Sequence, residues 1–253
     1  MKPVVVGVIP ARWASTRFPG KILTPLLGRP LIHWVLDRVR QAKNLSCVVV
    51  ATDDVRIAEA VRSAGGLAVM TRPDHPSGTD RVAEAVSGQA ADVVVNIQGD
   101  EPLVNPVLID SLADALIRDP SWDMATAVEP LTDPVATESS AVVKVVMDRD
   151  GRALYFSRAV IPHERDRGPA GVTRWRHIGI YAYRRTFLDR LVQEPPCDLE
   201  QLEKLEQLRA LHIGARIAVI RTESHGGAGV DLPDDVPRVE AWLRRMGHGG
   251  GTP

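Results

Sequence analysis

The chain has 253 residues, 44% hydrophobic and 25% charged, enough for one α/β domain or two small ones around a substantial core. A formal net charge of -1 leaves no basic excess to favour nucleic acid or an anionic membrane surface as partner. No apolar stretch of about 20 residues and no secretion signal is present, and two lone cysteines, Cys47 and Cys197, fit neither a disulfide framework nor a zinc site, so a cytoplasmic protein is expected.

Val4 to Ile9 is a β-branched apolar run that ends in a loop containing Pro, Ala, Ser and Gly, a pattern read as strand, anion-binding turn, then helix. Arg12, Arg17 and Lys21 lie within ten residues, and the small residues between them let backbone N–H groups approach a triphosphate. A solvated loop with scattered charge would read the same way. Pro30 to Ala42 carries Leu31, Trp34, Val35 and Val39 at helical spacing, Cys47 to Ala51 is a second strand, and Val55 to Ala64 is a helix closed by Gly65 and Gly66. Leu67 to Thr71 and Val93 to Ile97 are further strands, with an Arg81 to Val86 helix between them. This alternation predicts an α/β fold with a largely parallel, twisted sheet, helices on both faces and a ligand beyond the carboxyl ends of the strands. From Met124 the rhythm changes. Met124 to Val128, Val142 to Met147 and Ile178 to Tyr183 are short strand candidates between polar loops, read as a mixed-sheet extension on the acceptor side. A single domain over 1–247 is expected, its nucleotide part ending near residue 123 and its acceptor part covering about 124–220, with a disordered tail at 248–253.

Asp100 follows the buried run Val93 to Ile97, where a metal ligand reaches the carboxyl edge of the sheet. A helix N-cap is the alternative role. Gln98 and Gly99 before it favour a site, since Gly admits a close ligand and Gln reads an amide or base edge. Asp231 also follows a glycine-rich stretch, and two aspartates converging on a triphosphate suit magnesium. The His75 to Arg81 segment supplies hydroxyl and backbone donors, and is equally a helix-capping segment. His163, His177 and His212 are too scattered to argue zinc, and no Gly-x-Gly-x-x-Gly follows the first strand, which speaks against a dinucleotide oxidoreductase. Leu202, Leu205, Leu208 and Leu211 form a stripe expected in the core, with Glu206 and Gln207 on the other edge.

Eight ordered blocks then resemble one family: IPARWASTRFPGK (9–21), ATDD (51–54), TRPDHPSGTDR (71–81), NIQGDEP (96–102), ALYFSR (153–158), RHIGIYAYR (176–184), LEQLR (205–209) and GVD (229–231). The chain resembles the 3-deoxy-manno-octulosonate cytidylyltransferase, or CMP-KDO synthetase, family from about residue 4 to 245. The resemblance implies a Rossmann-like nucleotidyltransferase fold that dimerises and uses magnesium to make a CMP-sugar acid and pyrophosphate from CTP. By position it implies that Ala11, Arg12, Ser15, Arg17 and Lys21 surround the triphosphate. Arg72, Ser77, Gly78 and Gln98 would face the cytidine, and Asp100 and Asp231 would bind magnesium. Arg158, His177, Tyr181, Glu206 and Gln207 would hold the acceptor acid. Arg12, Lys21 and Asp100 would carry the chemistry by positioning and charge neutralisation, with no protein nucleophile.

Three departures bear on the acceptor. Glu138-Ser139-Ser140-Ala141 stands where the family usually has Asn-Pro-Asn, Val230-Asp231-Leu232-Pro233-Asp234-Asp235 stands for Val-Asp-Thr-Pro-Glu-Asp, and the Arg165 to Arg176 linker is short. They leave the small phosphonates used by related enzymes, such as phosphonoformate, as an alternative acceptor, and the arginine-rich, lysine-poor composition suits a GC-rich producer of such compounds. A metal-dependent glycosyltransferase of similar fold is a further alternative, though it would lack the cationic loop after the first strand.

Overall fold

The computed structural model describes residues 2–14, 18–166, 173–223 and 229–247. In chain order its elements begin with β1 (Val5–Ala11), the short strands β2 (Pro25–Leu26) and β3 (Arg29–Pro30), α1 (Leu31–Val39), β4 (Cys47–Thr52), α2 (Val55–Ser63), β5 (Leu67–Met70), α3 (Gly78–Ala85), β6 (Val93–Asn96) and α4 (Pro106–Arg118). They continue with β7 (Met124–Leu131), α5 (Pro134–Glu138), β8 (Lys144–Met147), β9 (Ala153–Ser157), β10 (Arg174–Arg184), α6 (Arg185–Leu191), α7 (Asp198–Glu203), α8 (Gln207–His212), β11 (Ile217–Arg221) and α9 (Val236–Arg245). Two compact units result, one of 2–91, 96–110 and 226–253, the other of 92–95 and 111–225. The chain crosses between them four times, so no single cut along the sequence separates them.

In the first unit β1, β4 and β5 form a parallel ladder, with Val6 opposite Cys47 through Ala11 opposite Thr52, and Val49 opposite Leu67 through Thr52 opposite Met70. Parallel strands are buried on both faces, which is why β1 reads as a continuous apolar run and Val5, Val6, Val8 and Ile9 are buried. Leu31, Ile32, Val35, Leu36 and Val39 of α1 and Ile57, Ala58 and Val61 of α2 are buried with them. Asp54 caps α2 by accepting the Arg56 N–H at 2.9 Å. At its other end Gly65, with φ +66°, donates to the Arg62 carbonyl and Gly66 to the Val61 carbonyl, a Schellman closure that needs a residue free to adopt the left-handed region. Helix α3 starts at Gly78, not Arg81, because Ser77 accepts the Asp80 N–H at 3.2 Å and caps it three residues earlier. The sequence reading passes over α4, although Leu108, Ile109, Leu112, Ala113 and Leu116 repeat at helical spacing and are buried.

In the second unit the order is β11-β7-β10-β6, with β11 parallel to β7, β10 antiparallel to it, and β8 antiparallel to both β9 and β10. This is the mixed sheet expected after Met124. Strand β10 is longer than predicted and shifts register between Ile178 and Tyr181, so Gly179 and Ile180 bulge where the sequence reads as one regular strand. The leucine stripe is a correction. Lys204, with φ +54°, ends α7 in the left-handed region and α8 starts afresh at Gln207, so Leu205 and Leu208 are buried while Leu202 is exposed.

Arg184 joins the end of β10 to the end of α4. Its Nε donates to the Trp122 carbonyl at 2.7 Å and its Nη2 to the Leu116 and Asp119 carbonyls at 2.5 and 2.8 Å, satisfying acceptors that a helix C-terminus leaves open. Arg184→Met should therefore cost about 2 kcal/mol. Thermal denaturation should show a fall in Tm of about 5 °C, the scale expected for a chain of this size.

Candidate active site

The first unit gathers the expected nucleotide residues around the carboxyl end of β1. Ala11 is its last residue and is buried, and Arg12 beyond it is exposed with no hydrogen bond or ion pair among the described residues. Ser15 and Arg17 lie outside the described residues. Trp13 carries the loop forward: its N–H donates to Asp53 Oδ1 at 3.4 Å, its carbonyl accepts the Gly20 N–H at 3.1 Å, and the Arg56 guanidinium lies 3.3 Å from its ring centre. Asp53 is in turn held by Arg81, a buried cation that also donates to Thr71 Oγ1 at 2.5 Å. Asp53, Arg56 and Arg81 sit in the ATDD and SGTDR segments or beside them, yet sequence reasoning gave them no role.

Asp100 lies in a turn and begins no helix, so the N-cap alternative does not hold. Gly99 is needed there for a reason other than ligand approach. A Cβ on it would stand 2.9 Å from the Pro10 carbonyl oxygen and 3.2 Å from Ile22 Cδ1, so it is the chain's own backbone that comes close. On the other side the Val230 N–H donates to the Asp100 carbonyl at 2.9 Å, which brings Asp231 beside Asp100. Asp235, also missed in the sequence, accepts the Asp231 and Leu232 N–H groups, both at 2.9 Å, and these bonds hold its carboxyl below the usual carboxylate range. The Lys21 ammonium is paired with Asp100 and lies 3.5 Å from Asp231 Oδ1. Two carboxylates from distant segments thus converge on one cation.

That convergence is the test of a magnesium site. Carboxylate oxygens are the hard donors magnesium takes, and Asp100 and Asp231 already share a positive charge. Among the described residues no three His, Cys, Asp or Glu side chains gather, so a cation held by this pair would complete its shell with phosphate oxygens and water. The residues fit the ion. The base-facing candidates lie in the same unit. Arg72 is exposed, its N–H on Glu84, whose carboxylate also contacts His75 Nε2. Ser77 caps α3 and donates to Asp80 Oδ2 at 2.6 Å, Gly78 opens that helix with Pro10 Cγ 3.9 Å from where its Cβ would be, and Gln98 is half-buried before Gly99.

The second unit gathers the expected acceptor residues. His177 and Tyr181 flank the bulge of β10, with ring centres 5.6 Å apart and Phe156 edge-on to His177 at 5.0 Å. The Thr126 hydroxyl gives its proton to the Ile180 carbonyl at 3.0 Å or that of Ile178 at 3.2 Å, so at 2.9 Å His177 Nε2 must be the donor to Thr126 Oγ1. Nδ1 is then the lone-pair acceptor. Burial lowers the His177 pKa to about 3, so this residue is an uncharged hydrogen-bonding group. Tyr181 donates to Gln207 Oε1 at 3.3 Å, and burial, with Tyr183 and Glu206 nearby, raises its pKa. Gln207 Nε2 is buried with no hydrogen-bond partner among the described residues, and Glu206 precedes it at the start of α8. Arg158, after β9, is anchored through Nε to the Glu203 carbonyl at 2.7 Å.

The cytidylyltransferase family profile matches residues 6–217. The chain belongs to that family. It is 48% identical over 249 residues to the 3-deoxy-manno-octulosonate cytidylyltransferase of Syntrophotalea carbinolica, covering 96% of this chain and 99% of that protein, and 47% identical over 246 residues to that of Bdellovibrio bacteriovorus, with the same coverage. A solved structure of CMP:2-keto-3-deoxy-manno-octonic acid synthetase complexed with CTP superposes with a TM-score of 0.91 at 40% identity, over 96% of this chain and 99% of that one. The fold is therefore the mixed α/β fold of the nucleotidyltransferases. A cytidylyltransferase from Leptospira borgpetersenii, 18% identical with a TM-score of 0.64, shares that fold.

Two outcomes follow from this geometry. Gly99→Ala should force the Asp100 turn away from Pro10 at a cost of about 1–3 kcal/mol, seen as a lower Tm together with reduced turnover. His177 is neutral in the folded protein and takes up a proton in the unfolded chain below its ordinary pKa of 6.5, so its contribution to stability is complete above pH 6.5 and lost as pH falls from there towards about 3. The loss approaches about 1.4 kcal/mol per pH unit for one proton. Denaturant titrations between pH 7 and 4 should show a shallower decline in His177→Asn than in the wild type.

Proposed function

We propose that the chain transfers CMP from CTP to 3-deoxy-manno-octulosonate and releases pyrophosphate, with magnesium held by Asp100 and Asp231. The observation that carries the chemistry is the convergence of these two carboxylates on Lys21 at the end of β1. An acceptor oxygen attacks the α-phosphorus, the bond from that phosphorus to the bridging oxygen breaks, and pyrophosphate leaves while the acceptor's proton passes to solvent. Arg12 and Lys21 hold the triphosphate and neutralise charge on the leaving group. When bound, magnesium supplies further charge neutralisation to the same phosphates. Ala11 lies at the triphosphate, and Arg72, Ser77, Gly78 and Gln98 face the nucleoside.

On the acceptor side the chemistry favours a hydroxylated sugar acid. His177 offers a neutral lone pair at Nδ1, Glu206 a carboxylate, and Gln207 Nε2 an unpaired donor, so hydroxyl groups find acceptors and a donor, while Arg158 takes the carboxylate. A dianionic phosphonate would meet an uncharged histidine and be repelled by Glu206, and the relatives reported above are named for the sugar acid. The same reading includes a cytoplasmic homodimer. Exposed Leu154, Leu199 and Leu202 of the second unit offer apolar surface to a second copy.

The test is pyrophosphate release with each of four nucleoside triphosphates against a panel of sugar acids and phosphonates. CTP with 3-deoxy-manno-octulosonate should turn over, and UTP should fall well behind it, because a wrong base leaves buried polar groups unpaired at about 1–3 kcal/mol each. Asp100→Asn should lose at least about a hundredfold in turnover with its fold intact. Wild-type rates in that variant at saturating magnesium would remove the metal role from Asp100.

A further inference from the structure

Lys144 opens β8 and is the largest of the fully buried side chains, an ammonium group with no exposure. No carboxylate comes within ion-pair distance of it among the described residues. Its three N–H donors go instead to the carbonyls of Ser139 at 3.0 Å, Val142 at 2.7 Å and Arg158 at 2.5 Å. A methionine would fill the same space without the cost of burying a charge, so packing alone does not account for a lysine here. An ammonium with three fixed acceptors is a directional tie between the segment after α5 and the residue after β9.

Arg158 is tied at every other point as well. Its N–H donates to Glu203 Oε2 at 2.9 Å, its Nε to the Glu203 carbonyl at 2.7 Å and its Nη1 to the Ser140 carbonyl at 3.0 Å. Ser157 gives its hydroxyl proton to Glu203 Oε1 at 2.6 Å. The guanidinium is left with Nη2, which has no protein partner among the described residues. Glu203 ends α7, and the left-handed Lys204 after it leads within three residues to Glu206 and Gln207. One network therefore fixes a guanidinium edge at one end and the end of α7, three residues before Glu206, at the other.

We propose that Lys144 and Glu203 are positioning residues for the acceptor, holding the free edge of Arg158 in register with Glu206 and Gln207. The inference rests on the acceptor role given to Arg158 under the proposed function. All the ties to 139–142 run through backbone carbonyls, so the side chains of Glu138, Ser139 and Ser140 can depart from the family's usual pattern while the frame stays the same.

The test is steady-state kinetics on the full chain with CTP and 3-deoxy-manno-octulosonate varied separately, for Lys144→Met, Glu203→Gln, Arg158→Lys and the Lys144→Met/Arg158→Lys double variant. Lys144→Met should raise the acceptor KM at least about tenfold, the scale of a misplaced binding group, and leave the CTP KM within about twofold. Glu203→Gln keeps one acceptor oxygen and should fall between wild type and Lys144→Met. If Lys144 acts through Arg158, the double variant should lose no more than the worse single one. Additive losses, or a parallel rise in both KM values, would overturn the positioning role and leave Lys144 as packing. If Lys144→Met does not fold, Glu203→Gln paired with Arg158→Lys decides the same question. A wild-type acceptor KM in Arg158→Lys would overturn the role of Arg158 itself, whereas a wild-type acceptor KM in Lys144→Met and Glu203→Gln beside an impaired Arg158→Lys overturns the positioning alone.

Discussion

Lys21 stands between Asp100 and Asp231, and the geometry of the first unit's site depends on that shared charge. Two carboxylates brought this close repel each other unless a cation lies between them. The ammonium supplies it, and the backbone holds the arrangement from both sides: Gly99 against the Pro10 carbonyl, Val230 hydrogen-bonded to the Asp100 carbonyl. Lys21 is mostly buried, Asp100 partly and Asp231 mostly exposed, so the cluster grades from a shielded interior to an open edge. In the proposed transfer an anionic nucleotide would compete for the lysine and a divalent cation for the carboxylates. The ion cluster clasps together the loop after β1, the Asp100 turn and the segment at Asp231.

The second unit follows a different electrostatic plan. His177 and Tyr181 are buried there, neutral and hydrogen-bonded. His177 is kept uncharged by desolvation, and its tautomer is set by the Thr126 hydroxyl, whose own proton is committed to a backbone carbonyl. Gln207 Nε2 is a buried donor with no partner among the described residues, and such a group costs about 1–3 kcal/mol until something accepts from it. An oxygen-rich ligand recovers that cost. In the proposed function this unmet hydrogen-bond capacity would favour a polyhydroxylated acid.

The segment 138–142 shows why a departure from a family pattern need not move the scaffold. Lys144 and Arg158 hold it by the carbonyls of Ser139, Ser140 and Val142, groups every residue carries. Substitution there changes what the side chains offer and spares the ties that position them.

By itself the sequence determined the βα alternation of the first unit, because parallel strands buried on both faces and amphipathic helices leave strong periodic signals. It also determined the family, because eight ordered blocks keep their identities. Helix α4 was legible but unread, its leucine and isoleucine spacing being regular. The tertiary structure decided what depends on contacts between distant residues. It assigned Gly99 to a close approach of the chain's own backbone, removed Asp100 from a capping role, and broke the leucine stripe at Lys204. Burial made His177 neutral, which no local pattern encodes. The supporting residues Asp53, Arg81, Lys144, Glu203 and Asp235 were hidden for the same reason: each acts by a directional bond to a partner whose position exists only after the chain has folded.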